Sequence, residues 1–557
     1  MSNHDNAEDN SQGSPPPLHN THQAPGLLGY LRCPPDLRRN ICELCSAVQY
    51  RLHRSVTIRG LPRLFLLRRF FCLYWMIVIM VLLYLKMYFP LYLISTVNKN
   101  TLKEFLHDWC RVRNIRTDWQ GLLSPCVGKT QWGEYHTIFT RINMTDADTS
   151  YISLMDIRPA GDFSRISIQS QTSEGNRKLS GGDAWRVRVR GPSELAPTII
   201  DHENGTYEVL FLALDAGEYR VVVYLDYTLC DGYRDPPEYW FMVGNIHGSN
   251  QVHGILGKES QYLCKPLWRG TPLVITIPPA QGPLRYDEFI SLGFGDPLYC
   301  NQECGLLWDG YGRWFNGSWI PQIQAPSPLS RSARRKQGVL WVYGDSIAAR
   351  LHSSIKNTLL CTDIFRRCDV TYNWVYTIQN ATVEKNLNDF QDFRIDKILS
   401  ELRQVLYRPE MDKHSTVLLN FGLHFVSSIN FTAYQRLITR VLDMIAEQES
   451  DGKGMMQKRY KGGIIWKTTT PINREKFANP HHQARRFMTN QRIALFNAYA
   501  TWAMCQDGHK VLDVHPMSDA FPGGTSNRYD PNDAVHFPDK VFTPAVQLLT
   551  RHYGHTA

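Results

Sequence analysis

Lysine is absent from the first 69 residues of this 557-residue chain, which carry nine arginines and five acidic residues. The other 488 residues hold 52 basic against 47 acidic side chains. The bulk of the protein therefore lacks the one-signed charge that a nucleic-acid-binding surface needs. Charged residues make up only 20% and apolar residues 43%, which excludes a chain disordered throughout, a collagen-like repeat and a small disulfide scaffold. A lone small module is excluded by length: at roughly 150 residues per domain, about two to four folded units are expected. The pair Cys42-x-x-Cys45 has no second pair at metal-ligand spacing beside it, so the four-ligand pattern of a zinc site is missing and palmitoylation of the tail, or no role, is the better reading. No other metal-ligand set stands out. Missing also is any N-x-[ST] acceptor before residue 143.

What the first 95 residues do contain is a membrane pattern. Residues 1–69 read as a cytosolic tail, its first 25 or so rich in Asn, Ser, Gly, Pro and His with the run Pro15-Pro16-Pro17, a composition that stays disordered. Arg51, Arg54, Arg59, Arg63, Arg68 and Arg69 precede a stretch free of charge from Phe70 to Leu85, and the apolar character resumes after Lys86. Residues 70–95 are long enough to cross a bilayer, which takes about 20 residues of helix, and are apolar on every face. Arginines before the span, against only Lys99 and Lys103 soon after it, predict a cytosolic N-terminus and a translocated bulk, a single-pass type II layout. The acceptors Asn143, Asn204, Asn316, Asn380 and Asn430 all follow the span, as lumenal glycosylation requires. Nine of the 13 cysteines lie on that side, where disulfides persist; being odd in number, they leave at least one unpaired or bridging two chains.

Beyond the anchor, residues 96–150 read as a stem with some helix at 102–109. Residues 151–275 alternate apolar and polar with period two around 166–168, 185–189, 207–211 and 219–223, separated by turn residues such as Gly181-Gly182-Asp183 and Asn204-Gly205. Strands at about ten-residue spacing indicate a β-sandwich. The stretch from Asp201 to Tyr219 resembles the E–F corner of immunoglobulin-like and filamin-type repeats, in which a tyrosine hydroxyl locks the turn. Residues 276–337 form a Cys-, Trp- and Gly-rich connector and linker. From 338 to 557, apolar strands expected at 339–343, 416–420, 463–467 and 511–514 alternate with helical periodicity at 347–359, 384–406, 431–446 and 484–504. That alternation implies a largely parallel sheet covered by helices.

The chemistry is carried by two short strings at opposite ends of this last domain. Strand 339–343 runs into Gly344-Asp345-Ser346, placing a serine at a helix N-terminus, where free N–H groups and the positive dipole end face an attacked acyl group. Near the C-terminus, Asp533-Ala-Val-His536 lets one turn present a carboxylate and an imidazole together, the first orienting the second. Each alone is as commonly a turn or a cap. In combination they resemble the GDSL/SGNH hydrolases, particularly the PC-esterase branch that includes the trichome-birefringence-like polysaccharide acetyltransferases. The resemblance implies Ser346 as nucleophile, His536 as base and Asp533 as its partner, with Gly422 as a second oxyanion donor. Arg350 resembles the arginine of that branch's GDSxxxR pattern, with a salt bridge within the helix as the alternative role. Lys467-Thr-Thr469-Thr470-Pro471 resembles its Arg/Lys-Thr-x-x-Pro segment, so Thr469 and Thr470 join the candidate oxyanion and substrate-binding set. The Gly-x-Asn-Asp block that carries an oxyanion asparagine is absent, which leaves the third donor open. His424 reads as structural or substrate-lining.

The order of parts over residues 70–557 is similar to the NXPE family, proteins with neurexophilin and PC-esterase domains. This implies an immunoglobulin-like sandwich followed by a three-layer SGNH-hydrolase-like α/β domain, and residence in the Golgi or secretory-pathway membrane. The implied activity is acyl transfer through an acyl-serine, with O-acetylation of glycan or glycoprotein hydroxyls, sialylated or mucin-type, ahead of an esterase running from the same site. No cofactor is expected to stay bound. An acyl donor such as acetyl-CoA is the implied co-substrate, and one span cannot carry it into the lumen, so a separate donor-supplying transporter is implied. A non-catalytic neurexophilin-like binding protein is the alternative of a different class.

Overall fold

The computed structural model describes residues 99–131, 143–236, 262–293, 310–323, 336–373, 393–450, 455–477, 486–526 and 530–554, together with Val78, 242–243, 246–247, Cys300, Cys304, Leu306 and Leu307. Two compact units divide the chain at residue 89. The expected anchor at 70–95, apart from Val78, lies outside the described residues, as do Cys42, Cys45 and Asn380. Among the described residues no helix is long and apolar enough to cross a membrane.

The second unit opens with helix α1 (Lys99–Asn114). Its buried Leu102, Phe105, Trp109 and Val112 share one face and pack with Phe163, Leu210, Leu212 and Phe289. Each side chain so buried contributes about 1.5–3 kcal/mol. The expected stem is thus folded onto the sandwich rather than standing free, and Cys110–Cys300 ties it there.

The sandwich begins at β1 (Thr145–Asp156) and continues through β2 (Phe163–Thr172), β3 (Ala184–Arg190), β4 (Glu194–Leu195), β5 (Thr198–Asp201), β6 (Thr206–Leu212) and β7 (Gly217–Tyr227). Period-two alternation sends Tyr207, Val209 and Phe211 of β6 into the sandwich core and Leu210 and Leu212 onto α1. One sheet has the order β1-β2-β6-β5. The other joins β7, β3 and β4 to β8 (Lys265–Pro266), β9 (Leu273–Ile277), β10 (Gly312–Phe315) and β11 (Ser318–Pro321). Two boundaries differ from the sequence reading: the sandwich starts before residue 151, and the supposed connector supplies its β10–β11 hairpin. That hairpin turns on Asn316 and Gly317, both at positive φ, the backbone that a two-residue turn requires. The expected tyrosine lock is Tyr219, whose hydroxyl donates to Asp215 O at 2.9 Å.

Residues 339–554 form the α/β domain. Strands β12 (Val339–Gly344), β13 (Arg367–Tyr372), β14 (Thr416–Leu419), β15 (Gly463–Lys467) and β16 (Lys510–Leu512) pair in the order β13-β12-β14-β15-β16, all parallel. In chain order this is 2-1-3-4-5, a doubly wound sheet whose ligands bind outside the carboxyl ends of the strands near the β12/β14 switch point. Helices α2 (Ser346–Ile355), α3 (Ile395–Leu406), α4 (Leu423–Ser428), α5 (Phe431–Ile445), α6 (Asn490–Gln506) and α7 (Thr543–Tyr553) accompany it. Strand β13 was not read from sequence because its residues are exposed or half-buried throughout; as an edge strand it needs no apolar face.

Among the described residues four disulfides connect Cys110–Cys300, Cys126–Cys230, Cys304–Cys505 and Cys361–Cys368. Cys264 is the odd thiol.

Candidate active site

Strand β12 is buried at every position, and its last residue turns the chain into α2. Asp345 caps that helix: its Oδ1 accepts from the Ile347 and Ala348 amides at 2.9 and 3.3 Å, while Oδ2 accepts from the Leu423 amide at 2.9 Å. One buried carboxylate thus ties the Ser346 turn to the loop after β14. Ser346, partly exposed, is the first residue of the helix, where its own N–H belongs to the donors that no helical carbonyl can reach. Gly422 is demanded by that closeness, since a Cβ there would stand 2.4 Å from Asp345 Oδ2 and 2.5 Å from Asn420 Oδ1. Gly344 likewise serves close packing, since a Cβ there would stand 2.6 Å from the Ala348 Cβ.

Asp533 and His536 meet as their spacing predicts. Asp533 Oδ2 lies 2.7 Å from His536 Nδ1, and Oδ1 accepts from the Val535 and His536 amides at 2.8 and 3.0 Å. A carboxylate at Nδ1 holds the proton there and leaves Nε2 basic. From His536 the chain runs into the turn Asp539–Phe542, which lies against α2, where Ser354 Oγ donates to Asp539 O at 3.3 Å. The helix that begins at Ser346 and the Asp533–His536 loop are therefore neighbours. Ser346 and His536 share no direct hydrogen bond among the described residues, a contact that in an empty site often forms only with substrate bound.

The remaining sequence candidates separate. Arg350 sits one turn along α2, partly exposed, and among the described residues forms no ion pair. Thr469 is committed to the scaffold: its hydroxyl accepts from Asn420 Nδ2 at 3.1 Å, and its amide and carbonyl both bond to the Asn497 side chain. Thr470 is fully buried with an unpartnered Oγ1. His424 lies half-buried on the first turn of α4. Of the glycosylation acceptors, Asn143, Asn204 and Asn316 are exposed, whereas Asn430 is half-buried and caps α5 through Ala433.

Three further buried polar residues line the same strand ends: Asn373 and Asn420, which the sequence reading did not assign to the site, and Lys467, which it read only as part of the Lys-Thr-x-x-Pro segment. Asn373 follows β13, and its amide donates to Gly344 O at 2.6 Å. The register sets Tyr372 beside Gly344, so Asn373 stands level with Asp345. It is 2% exposed, yet among the described residues neither side-chain amide atom has a partner. Asn420 donates to Lys467 O at 2.9 Å and to Thr469, while its Oδ1 is also unpartnered. Leaving such groups unmade costs about 1–3 kcal/mol each, and unpaired buried amides are exceptions that ask for a ligand or an ordered water.

The third is Lys467, 1% exposed, whose Nζ donates to Thr468 O at 3.0 Å. Burial pushes its pKa from 10.5 down to about 8, partly opposed by the charge of Asp345. With the folded pKa below the unfolded one, the unfolded chain binds more protons between about pH 8 and 10.5. Stability from this group is thus fully present above that window and is lost as pH falls through it, by about 3 kcal/mol. The wild-type denaturant midpoint is expected to rise between pH 8 and 10, and Lys467→Met to abolish that rise. Equal slopes in the two proteins would contradict the assignment.

Two cavities border the site without containing Ser346 or His536. The larger, about 590 Å³, lies between α1, the sandwich and the ends of β15 and β16. The smaller, about 210 Å³, lies between β3, the 471–476 turn and the 518–525 loop, with Phe537 on its wall. Among the described residues no group of three His, Cys, Asp or Glu side chains forms a metal-ligand cluster.

The fold thus defines a multidomain protein, an antiparallel β-sandwich joined to a doubly wound α/β domain. No protein-family profile matches the chain. Among solved structures it is similar to the Lin-41 filamin domain, at 17% identity and TM-score 0.14 over 15% of this chain and 82% of that chain. It is also similar to the lipase/acylhydrolase from Enterococcus faecalis, at 14% identity and TM-score 0.26 over 39% of this chain and 95% of that chain.

Proposed function

We propose that the chain is a serine acyl-transfer enzyme, held by a type II anchor in the Golgi or a neighbouring secretory membrane, that places O-acetyl groups on glycan hydroxyls. The observation that carries the reading is the 2.7 Å pairing of Asp533 with His536 Nδ1 on a chain segment packed against the helix that begins at Ser346. Ser346 Oγ attacks the acyl carbon of the donor, for example the thioester of acetyl-CoA, while His536 Nε2 takes the hydroxyl proton and passes it to the departing thiolate. A sugar hydroxyl then attacks the acyl-serine, His536 takes its proton, and Oγ recovers it. The Ser346 amide is the first oxyanion donor, and the unpartnered Asn373 side chain is the candidate for the donor missing from sequence. Sialylated or mucin-type glycans are the favoured acceptors, with the donor supplied to the lumen by a separate transporter.

The test compares cell-glycan O-acetylation by mass spectrometry after expressing wild type and Ser346→Ala at equal levels. Wild type is expected to raise it and the variant to leave it at background. A wild-type decrease that the variant abolishes makes the same site an esterase. No change in either leaves the sandwich-centred binding protein as the better description.

A further inference from the structure

Residues 473–476, just beyond β15, touch the sandwich on one side and the Asp533–His536 loop on the other. On the sandwich side, Arg186 of β3 holds Asp226 of β7 through Nε at 2.8 Å and reaches Glu475 with Nη2 at 2.6 Å. Arg188, two residues along the same strand face, lies 3.7 Å from Glu475. Next to it, Arg474, buried, donates to the Tyr227 hydroxyl at 3.3 Å. On the catalytic side, the Asn473 amide donates to Ala534 O at 2.9 Å. Lys476 Nζ donates to Pro531 O at 2.7 Å and also to Thr525 O. The Ser526 amide donates to His536 O at 2.7 Å.

From these contacts we infer that the β-sandwich is part of the catalytic apparatus: through Glu475 and Lys476 it sets the position of the Asp533–His536 pair, with Lys476 as a positioning residue. The 533–536 segment lies in turns and belongs to no strand or long helix, so it has no ladder of its own to fix it. Its backbone is held instead at Ala534 O and His536 O, and just ahead of it at Pro531 O, by donors from outside the segment. Neutral partners would satisfy those carbonyls equally well in a purely structural turn. A charged ammonium bonded to two carbonyls just ahead of the Asp533–His536 segment, one residue from a carboxylate paired with sandwich arginines, couples loop position to domain docking. A catalytic imidazole displaced by about 1 Å loses up to roughly 100-fold in rate.

The inference rests on the acyl-transfer reading, and its test separates the two. Full-length protein in detergent is assayed for p-nitrophenyl acetate hydrolysis, and amide hydrogen exchange is followed in the same samples. Lys476→Met is expected to lower kcat by about tenfold or more with KM within about twofold, Lys476→Arg to restore most of it, and Glu475→Gln to fall between. Exchange at the Ser526 and His536 amides is expected to speed up in Lys476→Met and Glu475→Gln while amides of β14 stay protected. Unchanged exchange around 526–536 overturns the inference, as does acceleration spread over the whole chain, or faster exchange with unaltered kcat in an active wild type. If wild type shows no hydrolysis beyond Ser346→Ala, the acyl-transfer reading fails for this substrate, and the exchange pattern alone still decides whether the sandwich positions the loop.

Discussion

Asp533→Asn is expected to lower turnover by about four orders of magnitude while leaving the protein folded. An asparagine there keeps its carbonyl oxygen for the Val535 and His536 amides that Asp533 Oδ1 now accepts, so the turn survives. Its NH2 group, however, takes the place of Oδ2 at 2.7 Å from His536 Nδ1. An amide donor facing Nδ1 makes that nitrogen the acceptor and moves the ring proton to Nε2. The imidazole can then no longer take the Ser346 proton, and the carboxylate that would stabilise its charged form is gone. Turnover of an activated ester, together with the thermal midpoint, checks this: a midpoint within about 2 °C of wild type with rate retained within tenfold would remove Asp533 from the mechanism.

The second large effect concerns stability. Arg492 on α6 is fully buried, donating through Nε to Val426 O at 3.0 Å, through Nη2 to Ile429 O at 2.6 Å, and through Nη1 to Arg234 O at 3.2 Å and to Asp235 Oδ1. Asp235 also accepts from the Phe431 amide at 3.0 Å. Burial works against the guanidinium charge, and Asp235 works for it. Arg492→Met strips three carbonyls of their donor and leaves the Asp235 carboxylate without its counter-charge, a change expected to cost about 3–5 kcal/mol. The loss reads as a lower denaturant midpoint at unchanged slope. Adding Asp235→Asn is expected to recover part of it, because the uncompensated charge goes with it. A single-variant loss under about 1 kcal/mol would mean that the pair contributes little to docking.

Local chemistry is what the sequence made legible. The strand into Gly344-Asp345-Ser346 could be read because a continuous apolar run followed by a small-polar turn has few other uses. Asp533 and His536 could be paired because three residues of separation fit one turn. Alternation located β2, β3, β6 and β7, since a half-buried strand must alternate. Strand β13 escaped because an exposed edge leaves no apolar signature, and with it went Asn373, whose position beside Gly344 depends on a strand register and on nothing in its neighbours.

The order of the two folded parts, the turn that holds Ser346 and the Asp533–His536 pair were thus legible in short strings of residues. Only the tertiary structure decided what those parts rest on. It buried Lys467 near Asp345, matched eight described cysteines into four bridges, folded the stem onto the sandwich, and set Glu475 and Lys476 between Arg186 of the sandwich and the residues just ahead of the Asp-His pair. The physical reason is range. A cap, a turn or a strand is specified by residues a few positions apart. The Arg492–Asp235 pair joins positions 257 apart, and such contacts follow from how whole layers dock, which no short string of residues encodes.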